Sequence, residues 1–293
     1  MKNILPFFLL LILVACKNNS EKINTPVVEE DPVEFQEVVV DSVAAAKEDI
    51  ELGKQQSIII KQQELIEKKD EKEELQELII SKTYVKEADL YTIDFRYPLL
   101  NETLKPSYVN FNEYINDYYV DITGTEAGLL EDKELICDTV RTNRFREKRF
   151  IDYKIYNVND QLISVLFYKE NFYSGTLHPT YSFDCMNFDL DRSVFMNYDD
   201  FFIEGSEEQF REILNEIIMS KINSGEMYYD CWTISEEDFF EYKDNFVLDD
   251  TSVEYYFDDC VVCPSYTGSY SVRIPLVELL SVLKRYDVNP LVF

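Results

Sequence analysis

"FIDYKIYNVNDQLISVLFYKENFY", residues 150–173, decides how this chain folds. Its halves, 150–158 and 162–173, are rich in Ile, Val, Tyr and Phe, the residues that favour a pleated surface. Asn159-Asp160 stands between them and has the composition of a turn. Both halves are therefore read as strands. Working downstream, "TYSFDCMNFDL" (180–190), the turn Asp191-Arg192-Ser193 and "VFMNYDDFF" continue in hairpin style. Working upstream, "LYTIDFRYPLL" (90–100) alternates like a strand and is expected to stop at Pro98. "YVNFNEYINDYYVDI" (108–122) places Phe111, Ile115, Tyr118 and Ile122 on one helical face.

Toward the C-terminus, Ser206 with Gln209 has the spacing of a capping box, opening a helix with Phe210, Ile213, Leu214 and Ile217 inward. Three strands follow, at 246–250, 253–257 and 270–274. Pro275 then suits the first turn of a last helix carrying Leu276, Leu279, Leu280 and Leu283. Strands run together with helices between and after them. The expected class is α+β, a mostly antiparallel sheet with two or three packed helices, preceded by a helical stalk.

Composition bounds the function. The chain has 293 residues, enough for two modest domains and a tether, and 46% hydrophobic residues supply a core. Lys and Arg total 28 against 57 Asp and Glu, a formal charge of -29. Such a surface repels phosphate backbones, so no nucleic-acid partner is expected, and it steers cationic partners inward.

The start, "MKNILPFFLLLILVAC", has one charge at Lys2 and an apolar run of about eleven residues, too short to span a bilayer and matched to a signal-peptide core. It ends in Leu13-Val14-Ala15-Cys16, which resembles the lipobox of bacterial lipoproteins. That resemblance implies cleavage after residue 15 and lipid attachment at Cys16, so the membrane partner is reached through acyl chains. Lys17 after the Cys implies the outer membrane by the best-studied sorting rule. Residues 16–42 form a disordered acidic tether with Pro26 and Pro32. Residues 43–82, rich in Glu, Lys and Gln, are expected to be a helical stalk; if fully helical, its roughly 40 residues would reach about 60 Å.

Residues 168–285 resemble the RsiV-like extracytoplasmic domain, a domain of unknown function, and with its companion domain the likeness runs from Tyr84 onward. "FYSGTLHP", "NFDLDRSVFMNYDDFF", "FVLDDTSVEYYFDD" and "CPSYTGSYSVRIPLVEL" carry the likeness. "YTIDFRYPLL" with "NFNEYINDYYVDI" resembles its small companion domain. The implied layout is a companion domain at 84–160 and the RsiV-like domain at 161–293. Similar domains occur in sensors of lysozyme, beside glycan deacetylases and in stand-alone lipoproteins. The resemblance implies a binding or sensing role without a catalytic centre, and no cofactor or metal is expected.

The chemical candidates are few. His178 is the one histidine; it lies between two strands and is expected to brace the turn by hydrogen bonding, with Pro179 fixing the exit. Its alternatives are a general base or a metal ligand joined by acids. "SEEDFFEYKDNF" (235–246) interleaves acids with aromatics able to grip a sugar or a basic protein. The plainer reading is an acidic helix burying Phe239, Phe240 and Tyr242. Tyr173, His178, Phe239 and Tyr242 are thus the ligand-binding candidates. The basic run Arg141, Arg144, Arg146, Lys148 and Arg149 is expected to pair with nearby acids. "DLDRSVFMNYDD" lacks the glycine and the ligand alternation of a calcium loop.

Six cysteines less Cys16 leave Cys137 and the four disulfide candidates Cys185, Cys231, Cys260 and Cys263. An extended Cys260-Val-Val-Cys263 would hold its Cα atoms about 10 Å apart, beyond the roughly 7 Å that a bridge allows. These two would then pair, if at all, with other cysteines. The functional expectation is a lipid-anchored envelope module for a cell-wall glycan or a cationic lysozyme-like protein. The alternatives are a cell-wall glycan hydrolase or deacetylase centred on His178, or a structural envelope lipoprotein with no soluble ligand.

Overall fold

The computed structural model describes residues 77–134, 146–174, 176, 178–284, 289 and 291, with residues 55 and 59 besides. The expected signal peptide, Cys16, the expected tether, nearly all of the expected stalk, Cys137, Arg141 and Arg144 lie outside the described residues. Within them the order begins with β1 (Ile79–Glu87), β2 (Tyr91–Leu100) and α1 (Val109–Glu113). The latter runs into a π-helical turn (Tyr114–Val120), then α2 (Ile122–Glu134). Next come β3 (Glu147–Asn159), β4 (Leu162–Phe172), β5 (Thr180–Asp189) and β6 (Val194–Met196). The chain continues through α3 (Tyr198–Phe201), α4 (Glu207–Ser224) and α5 (Glu236–Tyr242) to β7 (Phe246–Leu248), β8 (Ser252–Tyr256) and β9 (Ser271–Pro275).

The fold is α+β. β1 to β6 form a six-stranded sheet in chain order, and β7 to β9 a three-stranded sheet. Every adjacent pair is antiparallel except β2 with β3, which run parallel from Tyr91 to Phe95 on the first strand. A parallel pair needs a crossover, and the long connection carrying α1 and α2 supplies it.

The quoted stretch is the middle of this architecture. Ile163, Val165 and Phe167 of β4 join Ile93, Phe95, Phe111 and Ile115 in one core. The alternate residues Leu166 and Tyr168 pack with Phe183, Tyr256 and Tyr270 in another. Because side chains alternate across a strand, β4 buries both faces, one toward α1 and one toward β8 and β9. A third core gathers Phe201, Phe202, Phe210, Leu214, Ile218, Phe239, Phe246 and Tyr255 around α4 and α5.

Polar groups pin the two sheets together. Leu248 N–H donates to Ser164 Oγ at 3.1 Å, and Asn187 Nδ2 donates to the Phe246 carbonyl at 3.0 Å. Asn245 accepts Cys185 N–H at 2.7 Å and donates to the carbonyls of Phe183 at 2.7 Å and Tyr256 at 2.9 Å. Buried backbone groups must be paired, and these side chains do so where no strand is available.

Several expectations are corrected. β1 starts at Ile79, inside the segment expected to be helical stalk. The boundary at 160/161 falls in the turn between β3 and β4, so the two expected domains share one sheet. β2 runs through Pro98 to Leu100. Beyond Phe95 its β3 side is unpaired, and there a missing N–H costs no ladder bond.

Tyr118 is 77% exposed while Phe111 and Ile115 are fully buried. The wider π spacing turns Tyr118 outward and Val120 inward, so a 3.6-residue period fails across it. α4 forms with Phe210 and Leu214 buried and Ile213 and Ile217 packed beside them, but without the capping box. Ser206 Oγ instead bonds Tyr198 Oη at 2.9 Å, and Gln209 reaches Ser281. The cap pair that forms lies earlier, between Asn197 and Asp200 at the start of α3. The last helix is a short 3-10 turn over Leu276–Leu279 with Leu279 buried. Phe240, expected inside, is half exposed.

Candidate functional site

Two clefts open on either side of Lys169 and Tyr119, which line both. The first, about 390 Å³, runs between α2 and the β3–β4 hairpin. Gly124, Thr125, Gly128 and Leu129 form its helical wall. Its sheet wall follows from strand periodicity: Arg149 and Ile151 on β3 share one face with Lys169 and Asn171 on β4. The register pairs Arg149 with Asn171 and Ile151 with Lys169, so the polar Arg149, Lys169 and Asn171 lie together around the buried Ile151. Tyr173 extends the same every-second-residue series just past the strand end.

Charge in this cleft is balanced and its side chains are held in place. Arg149 pairs with buried Glu147 at 2.8 Å, donates to the Phe172 carbonyl at 3.2 Å and lies 4.4 Å from the Tyr173 ring centroid. Lys169 pairs with Asp184 at 2.9 Å and lies 4.0 Å from the Tyr119 ring centroid. Tyr119 Oη donates to Asp184 at 2.7 Å. Burial, with Asp184 beside it, pushes the Tyr119 hydroxyl well above the ordinary tyrosine range, so it stays a donor. Flanking cations over aromatic faces rigidify the rings while leaving Tyr173 41% exposed.

The second cleft, about 490 Å³, is acidic: Asp184, Glu241, Asp244 and Asp258 line it with Tyr114, Tyr242, Cys185 and Asn245. Burial holds the Asp258 carboxyl above its ordinary range; the Phe183 N–H that it accepts opposes this, and Asp184 adds to it. Burial likewise raises the Tyr242 hydroxyl, with Asp258 contributing. Among the described residues no group of three His, Cys, Asp or Glu is arranged to hold a metal ion.

The four candidate residues are not brought together. Tyr173 lines the first cleft and Tyr242 the second. Phe239 is 1% exposed in the core. His178 is exposed in the bend before β5, and among the described residues it takes no hydrogen bond. The turn is braced instead by Thr176, whose N–H and Oγ1 both donate to the Tyr173 carbonyl, at 3.2 and 2.9 Å. Lys169, Asn171, Tyr119 and Asn245 were not singled out from sequence. The signal for the first two was present, since 169, 171 and 173 fall on one face of a strand.

The remaining motifs have structural uses. In "DLDRS", Asp189 accepts Asp191 N–H, Arg192 N–H and Arg192 Nε, at 2.9, 2.7 and 2.7 Å, closing the turn into β6. Of the basic run, Lys148 pairs with Glu170 at 3.5 Å and Arg149 with Glu147, while Arg146 donates to backbone carbonyls of Ala88 and Asp89. Cys231 and Cys263 form a disulfide. Cys260 is exposed, with its thiol 3.2 Å from Ser265 Oγ, and adopts φ 65° in a loop that is not extended. Cys185 is a free thiol that burial pushes well above its ordinary range.

No family model matches the chain. No curated protein matches it. Among solved structures, a DUF3298 family member from Bacteroides fragilis aligns with a TM-score of 0.47 at 17% identity, over 70% of this chain and 93% of its own. A DUF3298 family protein from Pseudomonas aeruginosa aligns with a TM-score of 0.46 at 12% identity, over 73% of this chain and 95% of its own.

Proposed function

We propose that this chain is a lipid-anchored, non-catalytic binding module of the cell envelope, taking a cell-wall glycan in the cleft between α2 and the β3–β4 hairpin. The anchoring part rests on the lipobox-like Leu13-Val14-Ala15-Cys16 and Lys17, which favour the outer membrane. The modular part rests on the RsiV-like resemblance of residues 168–285. The observation that carries the ligand is the first cleft itself. It offers two partly open tyrosine rings, an amide, a hydroxyl and two cations already neutralised by acids. Rings stack on pyranose faces, while amide and hydroxyl groups match a glycan's donors and acceptors.

Retention of the full chain on insoluble cell-wall glycan tests this. Wild type is expected to be retained, and Tyr173→Ala to lose about tenfold in affinity, as for a central aromatic contact. An unretained wild type, or a Tyr173→Ala variant that binds normally, would overturn it. The charge of -29 favours a second reading, a cationic lysozyme-like protein as the ligand. That binding would weaken steeply as salt is raised, whereas glycan stacking would not.

A further inference from the structure

The disulfide between Cys231 and Cys263 joins two loops that carry much of the exposed aromatic surface. Tyr228 is 52% exposed, Tyr229 80% and Tyr266 62%. Their rings touch: Tyr228 lies 6.1 Å from Tyr266 edge to face and 6.2 Å from Tyr229. Trp232, the single tryptophan of the chain, follows Cys231 and is also exposed. Rings so open to water need an explanation, and the core does not give one, since Met227, Cys231, Ile234, Val262 and Cys263 already fill it.

The loops are also fixed rather than loosely draped. Trp232 N–H donates to the Val262 carbonyl at 2.9 Å and its indole Nε1 to the Val261 carbonyl at 2.8 Å. Cys231 N–H closes a turn onto the Tyr228 carbonyl at 3.0 Å. Among these rings sits Asp230, whose carboxylate accepts the Tyr266 hydroxyl. That bond pushes the Tyr266 hydroxyl up to about 12. Among the described residues Asp230 has no ion-pair partner. Lys221, in the last turn of α4, is paired with Glu226 at 3.5 Å.

We infer that Tyr228, Tyr229, Asp230 and Tyr266 form a receiving surface for a protruding arginine or lysine side chain of a basic partner protein. A cation is attracted to the negative faces of aromatic rings and to an unneutralised carboxylate beside them. An anion would meet Asp230 and a chain of charge -29. The rings are open to water, unlike the enclosing cages that hold small quaternary amines, so a side chain carried on another protein fits them best. This surface is separate from both clefts. It deepens only the cationic-protein reading above, and it stands whether or not glycan binds in the first cleft.

Titration of the full chain with deca-arginine, read by Trp232 fluorescence near physiological salt, tests the inference. Binding is expected, and Asp230→Asn and Tyr229→Ala should each weaken it about three- to fivefold, the worth of one exposed cation–aromatic or ionic contact. Asp117→Asn, on the exposed π-helical turn over the other face of the larger sheet, removes the same charge elsewhere and should change binding less than twofold. Tyr173→Ala should leave deca-arginine binding unaltered, which separates this result from the fate of the glycan proposal. An equal loss from Asp117→Asn, or no binding of deca-arginine, would overturn the inference. So would quenching by a neutral chitin hexasaccharide that Tyr229→Ala abolishes while deca-arginine has no effect; the rings would then be a sugar platform.

Discussion

Asn245 accepts the N–H of Cys185 and donates to the carbonyl of Phe183, groups of β5 that β6 leaves uncovered because its ladder reaches only from Asn187 to Asp189. Asp258 completes the task by accepting Phe183 N–H at 3.1 Å. Two side chains thus replace a short length of strand. The arrangement has a cost at Asp258, whose burial favours the protonated form. A carboxyl with its folded pKa above its unfolded one contributes stability at low pH and loses it as pH rises through the folded value. Asp258→Asn keeps the acceptor and removes the charge. It should raise the thermal midpoint near pH 7, with the gain fading as pH falls toward the unfolded carboxyl range. A gain that is the same at both ends, or none, would show that the carboxylate carries no such penalty. None of this was legible in sequence, because Asn245 follows a helix like any turn residue. Partners 60 positions apart leave no local pattern.

At the scale of elements, α2 shows how weak a signal can be. "ITGTEAGLLEDKE" carries two glycines and no apolar stripe, so no local pattern marks it as a helix. Asp121 starts it, accepting Gly124 N–H at 2.9 Å. Gly128 faces open space: a Cβ there would meet nothing within 4 Å. Gly128→Ala should therefore stabilise the fold by about 0.5–1 kcal/mol through helix propensity and unfolded-state entropy. Gly128→Leu should leave resistance to chemical denaturation at least unchanged while blocking glycan retention, since the side chain would project beside the cleft that Gly128 lines. Glycan retention surviving the leucine would place the ligand elsewhere. By contrast, β3 through β5 and β7 through β9 were legible nearly to their ends, whereas of "VFMNYDDFF", expected to continue the hairpin, only Val194–Met196 is strand and Tyr198–Phe201 is α3. Alternating aromatics and turn residues specify strands locally. The π-helical turn was not, since one widened turn reverses which of Tyr118 and Val120 points inward.

For the whole molecule, sequence supported the α+β class but not the partition. A boundary at 160/161 looks natural by composition, yet β3 and β4 pair across it from Lys148 with Phe172 to Asn159 with Leu162. Resemblance to a two-domain layout divides what strand pairing unites. The disulfide closes a loop of sequence separation 32 and ties the segment after α4 to the loop before β9. Replacing Cys231 and Cys263 together by serine should cost about 3–4 kcal/mol, chiefly by freeing the unfolded chain. Urea unfolding followed by Trp232 fluorescence would measure it. A loss under about 1 kcal/mol would mean that packing alone closes these loops.

The two-sided burial of β4 also sets a timetable. All six strands of the larger sheet have been synthesised once Met196 has emerged. The partners of Leu166, Tyr168 and Phe183 on its second face, Val247, Tyr256 and Tyr270, arrive some 50 to 75 residues later. Through that interval any early sheet presents a bare aromatic surface and the uncovered length of β5, the conditions under which nascent chains associate wrongly. Chains cut short between Met196 and Tyr270 should therefore be sticky rather than merely incomplete. The molecule has no early resting point: its first half becomes water-compatible only when its second half closes over it.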